Sequence, residues 1–293
     1  MKFPVRIFII LLCTCMSARS AHAQESSDLK GTSCIPVRSV AGDELAFQDG
    51  ESMHFAVQYK WGAVNTDVGY ATVRLDTLCY NGVEAFRCSA YGYTKRFFDF
   101  FFKVREDFKS WFTYDGMRPL KFTRDTQEGS YKARNTYIYD WTLPEPHIVA
   151  DVYSTSSGQR NIDLPLTPCT FDLPSLFFYA RNMNFDIIEP GKKYPMTFAI
   201  DDDIFNVYFI LYGRETIKVK GLGTVKTIRF GAKLLEGEVF KGDEDMMIWV
   251  SDDENRLPVY FEAPLLVGLA TGRLLDVEGT KHPFTALVEY KRN

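Results

Sequence analysis

Hydrophobic and polar residues alternate along most of the chain, and this period of two predicts β-strands. The clearest case runs from Ser52 to Trp61, where one face would carry Met53, Phe55, Val57, Tyr59 and Trp61. The opposite face is polar and includes His54, so a surface histidine is preferred there over a metal ligand or a base. We therefore expect a strand with one buried and one solvated face.

Further strands follow from the same alternation, separated at short intervals by turn-forming residues. Asn81-Gly82 is a strong hairpin signal because both residues accept positive φ. The predicted strands are 68–78, 84–94, 108–114, 120–124, 131–141, 148–153, 194–200, 204–212, 215–220, 224–235, 237–240, 245–251, 257–264, 266–277 and 283–291. Short connections suit antiparallel meanders. The predicted fold class is all-β, a mostly antiparallel curved or barrel-like sheet with one short helix near 172–183.

That helix is predicted over Asp172–Met183. Asp172 can cap its first turn, and Pro174 is tolerated there. Its inner stripe would consist of Leu176, Phe177 and Ala180.

The stretch Met246–Glu262 predicts two strands that meet at a charged turn. Asn255 is the turn residue that best tolerates a left-handed backbone. The residues expected to set the conformation of this turn are Asp252, Asp253, Asn255 and Arg256. We interpret the acids here, and those at 201–203 and 243–245, as solvated turn residues, because none of the three clusters has the spacing of a calcium-binding loop.

The first 23 residues are typical of a signal peptide. Lys2 and Arg6 precede the apolar run Ile7–Met16, and Ala21-His-Ala23 is a small-x-small cleavage site. The run is shorter than the roughly 20 apolar residues that span a bilayer. Cleavage would remove three basic residues and no acids, which moves the net charge from −4 to −7. We expect a periplasmic or secreted protein that is not membrane-spanning, and the charge disfavours nucleic acid and anionic membranes as partners.

The remaining chain is long enough to bury a sizeable core. Residues 24–44 are polar and turn-rich, which predicts a flexible lead-in. Residues 45–293 are predicted to form a single large β domain, or two lobes that meet near 141–172.

Four cysteines remain after cleavage, and an oxidising compartment permits disulfides among them. If Asn81-Gly82 is a two-residue turn, Cys79 faces Glu84 and Cys88 faces Leu75. The sulfurs of Cys79 and Cys88 would then lie about 13 Å apart along the strands, and only a bulge or a wider loop would bring them together. The sequence does not place Cys34 near Cys169, so the pairing stays open.

The common catalytic and cofactor motifs do not occur in the mature sequence. It has no G-x-S-x-G elbow, no Walker loop, no H-E-x-x-H and no C-x-x-C. We therefore predict no cofactor, no metal and no catalytic residue. A glycosidase remains an alternative, since its two carboxylates can come from any two positions in the sequence.

Five phenylalanines occupy the six positions from Phe97 to Phe102 and fit neither a strand nor a helix period. One interpretation is a bend or short helix that plugs one end of the core. The other is an aromatic wall for an acyl chain or another apolar ligand, with the candidate lining residues Phe97, Phe98, Phe100, Phe101, Phe102, Trp111 and Phe177. Exposure of the rings is the least expected arrangement, because a bare apolar patch favours aggregation.

Two stretches resemble a family catalogued only as domain of unknown function 3108. Glu51–Gly62 followed by Val68–Val73 is similar to its opening, and Ile248–Val259 followed by Glu262-Ala-Pro is similar to its closing signature. The resemblance implies an exported, mostly antiparallel β protein of Gram-negative envelopes, without an assigned reaction. It also implies a curved sheet around a helical plug, like that of periplasmic lipoprotein carriers.

The sequence thus favours a non-enzymatic periplasmic binding or carrier protein for an apolar, lipid-like ligand. The alternative is a structural or assembly partner of outer-membrane proteins, with contacts through strand edges or the acidic turns. An enzyme that acts on envelope glycans is the third hypothesis.

Overall fold

One large curved sheet dominates the protein. The computed structural model describes residues 34–62, 64–232, 246–265 and 268–290. Within these ranges the chain forms sixteen strands and two α-helices, α1 Arg96–Asp99 and α2 Leu173–Arg181. The strands are β1 Ser52–Trp61, β2 Val64–Tyr80, β3 Val83–Thr94, β4 Val104–Thr113, β5 Pro119–Glu128, β6 Tyr131–Asp140, β7 His147–Ser154, β8 Gly158–Pro165, β9 Thr170–Phe171, β10 Lys193–Ile200, β11 Asp203–Val219, β12 Gly223–Ala232, β13 Met246–Ser251, β14 Pro258–Pro264, β15 Leu269–Glu278 and β16 Leu287–Tyr290.

The sheet is mostly antiparallel and does not close. Its strand order is β8-β7-β6-β5-β4-β3-β2-β1-β15-β14-β13-β12-β11-β10-β9, with β16 beside β12. The edges are therefore β8 and β9, and the chain passes from one edge to the other between Pro165 and Thr170. The prediction of an all-β, mostly antiparallel curved sheet is confirmed.

Antiparallel pairing places successive connections at opposite ends of the sheet. One end, which we call the tip end, holds the β1–β2 turn, the segment between β3 and β4, and the β5–β6 turn at Gly129. The other end, which we call the floor end, holds the start of β1 and the turn between Ser251 and Pro258. The two ends differ in how their buried charged side chains are paired.

Helix α2 lies on the concave face of the sheet and confirms the predicted helix. Asp172 caps it through a reciprocal pair of hydrogen bonds with Ser175, and the Ser110 hydroxyl donates to Asp172 at 2.8 Å. Burial raises the pKa of Asp172 to about 7, although hydrogen bonds from Ser175 and Ser110 oppose that rise.

The predicted inner stripe of α2 is only partly right. Phe178 and Tyr179 are buried along with Leu176, whereas Phe177 and Ala180 are only partly buried. The reason is that the helix is covered on two sides. The sheet covers one side, and the N-terminal segment lies against the helix where the Tyr179 hydroxyl donates to the Ile35 carbonyl at 3.4 Å.

The predicted hairpin register is confirmed, because Cys79 pairs with Glu84 and Cys88 with Leu75. A disulfide joins Cys34 to Cys169, while Cys79 and Cys88 are free thiols. From Cys34 onward, the segment predicted as a lead-in packs on the protein, since Ile35 is buried in the core and Gly42–Glu44 forms a 3₁₀ turn. The predicted signal peptide, the predicted strand 237–240 and the acid cluster 243–245 lie outside the described residues.

Two strand predictions need correction for physical reasons. Strand β8 was not predicted because its edge position exposes it at nearly every residue, so its sequence lacks a regular alternation of apolar and polar residues. The predicted strands 204–212 and 215–220 are one strand, β11, whose pairing with β12 shifts register between Leu211 and Gly213. A bulge of this kind interrupts the alternation without ending the strand.

Candidate functional site

The connection between β3 and β4 carries the phenylalanine run and projects from the tip end. We call the segment Phe97–Phe102 the aromatic tip. Its base is fixed by Asp99, which accepts hydrogen bonds from Thr94 and from both terminal nitrogens of Arg105, at 2.9 and 2.6 Å. Arg105 holds the pKa of Asp99 below its usual range, so this clamp is ionised near neutral pH.

The rings of the aromatic tip separate onto two faces. Phe98 and Phe102 stand four residues apart and pack down against the cluster that contains Val57, Val68 and Leu265. The other three rings point outward, and their exposed fractions are 71% for Phe97, 88% for Phe100 and 59% for Phe101. They remain in mutual contact, with ring centroids 5.8 Å apart for Phe97–Phe101 and 5.4 Å for Phe100–Phe101.

The expectation that these rings would be enclosed is therefore wrong. A helix of four residues, α1, can turn only one narrow face to the protein, and Phe98 with Phe102 fills it. The remaining phenylalanines have no place on that face and extend into solvent. Large exposed apolar groups of this kind mark contact sites for partners or membranes.

The other two predicted ligand residues lie away from the aromatic tip. Trp111 lies on the face of β4 opposite the buried Phe112 and contacts Tyr80, with Lys121 Nζ 5.2 Å from its ring centre. Phe177 lies on α2, where it is partly buried against the main core. The structure thus brings together five of the seven predicted residues and separates Trp111 and Phe177 from them.

Two concavities within the described residues do not involve the predicted ligand residues. One, of about 10 Å³, is apolar and lies beside Met183 and Phe230. It has room for about one water molecule. The other, of about 350 Å³, is a polar groove at the floor end beside Asp43 and Lys281. Neither offers an acyl chain an apolar chamber.

Basic and tyrosine side chains surround the aromatic tip. Arg96 and Lys103 flank it and are exposed, and Lys95 Nζ lies 4.9 Å from the centre of the Tyr70 ring. On the outer face of β3, Tyr91 and Tyr93 are exposed, and their ring centroids are 5.6 Å apart. Phenylalanines at the outermost position with tyrosines and basic residues behind them match the layering of a membrane interface.

At the floor end, Arg181 is the centre of a buried network that includes Glu51 and Asn255. Its two terminal nitrogens each donate to a Glu51 oxygen, and Nε and Nη2 donate to the Asn255 carbonyl at 3.2 and 2.8 Å. Its guanidinium also lies against the Phe47 and Phe178 rings, at 5.4 and 5.5 Å. One arginine meets one carboxylate, and each of the three guanidinium nitrogens donates at least one hydrogen bond. We call this the Arg181 network.

The charged turn predicted from the sequence adjoins the Arg181 network, and its acids are not all solvated. Asp253 and Asn255 are buried, and Asp253 accepts hydrogen bonds from Ser251 and from the amides of Asn255 and Ala286. Asp252 pairs with Arg256 at 3.0 Å. The residue with positive φ is Arg256, at 50°, rather than Asn255, whose side chain instead bonds the segment at His282.

At the tip end, a second buried network contains more acid than base. Glu106 and Glu128 are diagonal neighbours on one buried face of β4 and β5, close enough for a shared proton to form a hydrogen bond between them. Beside them, Arg124 donates to Asp201 at 2.7 Å. One buried carboxylate oxygen of each acid, in Glu106, Glu128 and Asp201, has no hydrogen-bond partner. We call this set of four residues the Glu106 network.

The electrostatics of the Glu106 network follow from its burial. Burial raises the pKa of Glu106 to about 8, against the opposing effect of Arg124. Burial and the Glu106 charge raise the pKa of Glu128 well above its ordinary value. Sequence reasoning missed this pair, although Glu106 stands at an inward position between Val104 and Phe108 in a strand of strict alternation.

Within the described residues, no helix is long and apolar enough to cross a membrane. Across the same ranges, no group of three histidine, cysteine or acidic residues is placed to hold a metal ion.

The fold and the aromatic tip define an all-β protein built on one unclosed, curved sheet. The chain matches the family described as protein of unknown function DUF3108 over residues 54–274, and it belongs to that family. The resemblance drawn from the two sequence stretches is thereby confirmed. No curated protein matches this chain.

Two solved structures are similar to this chain at low identity. A β-barrel-like protein of the domain of unknown function DUF1849 from Brucella abortus has a TM-score of 0.52 and 10% identity, over 80% of this chain and 100% of that chain. A candidate lipoprotein from Parabacteroides distasonis has a TM-score of 0.31 and 8% identity, over 84% of this chain and 100% of that chain. The first supports the fold, and the second is too distant to support an argument.

Proposed function

We propose that this protein is a non-enzymatic binding protein of the bacterial envelope that contacts lipid through the aromatic tip. The observation that carries the proposal is the exposure of Phe97, Phe100 and Phe101 on a connection whose base is fixed by the Asp99–Arg105 clamp. A fixed base is expected to hold the rings out as a rigid element that can enter an apolar phase with little loss of conformational entropy.

The energy available is enough for reversible attachment. Transfer of a fully exposed phenylalanine side chain out of water is worth roughly 1.5–3 kcal/mol, so the three partly exposed rings together supply about 3–6 kcal/mol. A single acyl anchor acts in a similar range and gives only marginal binding. Arg96 and Lys103 would each add about 1 kcal/mol at an anionic surface. The negative charge of the whole chain acts against this, but the charges beside the tip are basic.

The envelope location rests on two features. The Cys34–Cys169 disulfide is typical of a protein that matures in an oxidising compartment. The signal-peptide pattern of residues 1–23 predicts the same route. Export therefore brings the aromatic tip to the compartment where membrane surfaces and lipid cargo are available.

The rival hypotheses find less support in the geometry. An assembly partner that used the Asp252–Arg256 turn would have to bind residues whose side chains are largely committed within the chain. A glycosidase needs two carboxyls about 5–9.5 Å apart with a sugar between them. Glu106 and Glu128 lie next to each other and are both buried, so they leave no room for a substrate.

Vesicle flotation tests the proposal. Wild-type protein is mixed with vesicles of phosphatidylcholine alone or with phosphatidylglycerol added, and the bound fraction is compared with that of the triple variant Phe97→Ser/Phe100→Ser/Phe101→Ser. We expect the wild type to float, and to bind more strongly when phosphatidylglycerol is present. The affinity of the triple variant for the vesicles should be lower by roughly a hundredfold or more.

The control for this experiment is Ile138→Ser/Val149→Ser, which removes two exposed apolar side chains from the outer face of β6 and β7. It should float like the wild type. Equal binding by the triple variant, or no flotation of the wild type with either lipid, would contradict the proposal. If the wild type stays free of vesicles but is crosslinked through Phe100 to an envelope protein, the assembly-partner hypothesis takes its place.

A further inference from the structure

The Glu106–Glu128 pair lies directly beneath the aromatic tip. Glu106 stands two residues after Val104, where β4 begins, and Glu128 is the last residue of β5. The cross-strand register places Val104 opposite Glu128. The two carboxyls therefore join the strand that leaves the tip to the strand that ends beside it.

The next residue, Gly129, connects the pair to the tip itself. The Gly129 amide donates to the Lys103 carbonyl at 2.8 Å, and the Phe102 ring covers its Cα. A Cβ built on Gly129 would lie 2.8 Å from Phe102 Cε2, and φ is +59° there. The inner face of the tip thus rests on a glycine that follows directly after a buried acid.

The charges around the pair are unevenly matched. Arg124 is the positive group that faces it, while Asp201, from the β10–β11 turn, and Asp125, on β5, add negative charge. Thr126 donates to Glu106, and the nearby Tyr131 phenol is neutral because burial raises its pKa to about 12. Arg124 can balance the charge of Asp201. When Glu106 and Glu128 share one proton, their single negative charge is therefore uncompensated. When both are ionised, three carboxylates surround one guanidinium.

From this arrangement we infer that the Glu106–Glu128 pair is a pH-dependent lock on the aromatic tip. While the pair holds a proton, its hydrogen bond keeps β4 and β5 together at the tip end, and Phe102 stays seated on Gly129. When both carboxyls ionise, their repulsion parts these strand ends and releases Phe102 and the tip. The inference concerns the regulation of the site proposed above, and it rests on that function only for its biological purpose.

Hydrogen–deuterium exchange without lipid tests the lock independently of lipid binding. The reporting amides are Phe101 and Phe102, which donate to Phe98, and Gly129, which donates to Lys103. Exchange is measured at about pH 6 and about pH 9, and the labelling times are scaled to correct for the faster intrinsic exchange at the higher pH. We expect protection of these amides in the wild type to fall at least roughly tenfold between the two conditions.

The matched variants are Glu106→Gln, which keeps a hydrogen-bonding side chain without a titrating proton, and Glu278→Gln, which removes an exposed glutamate from β15. In Glu106→Gln the protection should change by less than about twofold, and Glu278→Gln should behave like the wild type. Glu128→Gln serves in the same way if Glu106→Gln does not fold. The Leu75 amide, bonded to the Glu51 carbonyl at the floor end, reports global unfolding.

Protection that is independent of pH in the wild type would overturn the inference. So would an equal fall in Glu106→Gln, because the fall would then come from other groups. Either result leaves the flotation experiment untouched, so failure of the lock is distinct from failure of lipid binding.

Discussion

The two ends of the sheet both bury an arginine among carboxylates, yet they satisfy it differently. At the floor end, Arg181 meets one carboxylate, Glu51, and each of its three guanidinium nitrogens is hydrogen-bonded. At the tip end, Arg124 faces Asp201 and the Glu106–Glu128 pair, and three carboxylate oxygens lack partners. A fully bonded network stabilises one structure, whereas a partly bonded one leaves a region sensitive to conditions.

This difference separates the end of the sheet that packs the fold from the end where we propose the function. Both stretches that carry the family resemblance contribute to the Arg181 network, since Glu51 opens the first and Asn255 lies in the second. Residues from the two stretches therefore meet in the packing of the floor end. The exposed phenylalanines and the unbalanced acids occur at the tip end, where we place the function.

The largest effect is expected from Arg181→Ala. The change leaves Glu51 buried without its partner, and breaking a buried pair in this way costs about 3–5 kcal/mol of the free energy of unfolding. Denaturant unfolding measures it. The control is Arg160→Ala, whose ion pair with Asp202 is exposed and should cost about 1 kcal/mol or less. Similar costs for both would remove the contrast that we draw between buried and exposed pairs.

Glu106→Gln should stabilise the protein at raised pH, in contrast to Arg181→Ala. Because Glu106 and Glu128 have raised pKa values, the folded protein keeps protons that the unfolded chain releases above about pH 4.5. The stability of the wild type therefore falls as the pH rises from about 4.5 to 8. Removing Glu106 should raise the free energy of unfolding by roughly 1–3 kcal/mol near pH 8 and change it little near pH 4.5.

Thermal unfolding across this pH range checks that prediction. Some pH dependence should remain in the variant, because Glu128 titrates in the same direction, and so does Asp172, with its pKa of about 7. A variant with the full wild-type slope would show that the Glu106 network does not cause it.

Gly129→Ala tests the seat of the tip. The new Cβ must displace the Phe102 ring as well as accept a positive φ, so the change should cost about 2 kcal/mol. Gly158→Ala is the matched control, since Gly158 has φ +72° but open space around it, and only the backbone cost of about 1 kcal/mol applies. Equal losses would mean that Phe102 does not rest on Gly129.

The smallest effect on stability is expected from Phe100→Ser. This ring is 88% exposed, so the free energy of unfolding should change by no more than about 0.5 kcal/mol. Phe98→Ser removes a ring packed on the cluster that contains Val57 and Leu265, and it should cost roughly 2 kcal/mol or more. Comparable losses would place Phe100 in the fold rather than in a binding surface.

Much of the fold could be predicted because its determinants are local. The alternation of Ser52–Trp61, the Asn81-Gly82 turn and the Asp172 cap each predict structure from a few neighbouring residues, and the structure has β1, the hairpin and α2 in those places. The Cys34–Cys169 bond could not be predicted, since 135 residues separate the two and only the tertiary fold brings them together.

The sequence singled out the phenylalanines of the candidate site but not their geometry. The phenylalanine run indicated an apolar function, but sequence gives no sign that only Phe98 and Phe102 fit against the body. The Glu106 network combines residues from β4, β5 and the β10–β11 turn, so its acid excess is visible only in three dimensions. Asp201 and Asp253 look like solvated turn acids in sequence and are buried by tertiary contacts.

The central claim is that the phenylalanine rings enter a lipid phase. The most direct measurement places a reporter at the outermost ring, as Phe100→Trp, and records tryptophan fluorescence with vesicles of brominated lipid, with Val149→Trp as the exposed control on β7. Our account predicts strong additional quenching for Trp at position 100 and none at position 149. Equal quenching at the two positions, or none at position 100, would contradict it.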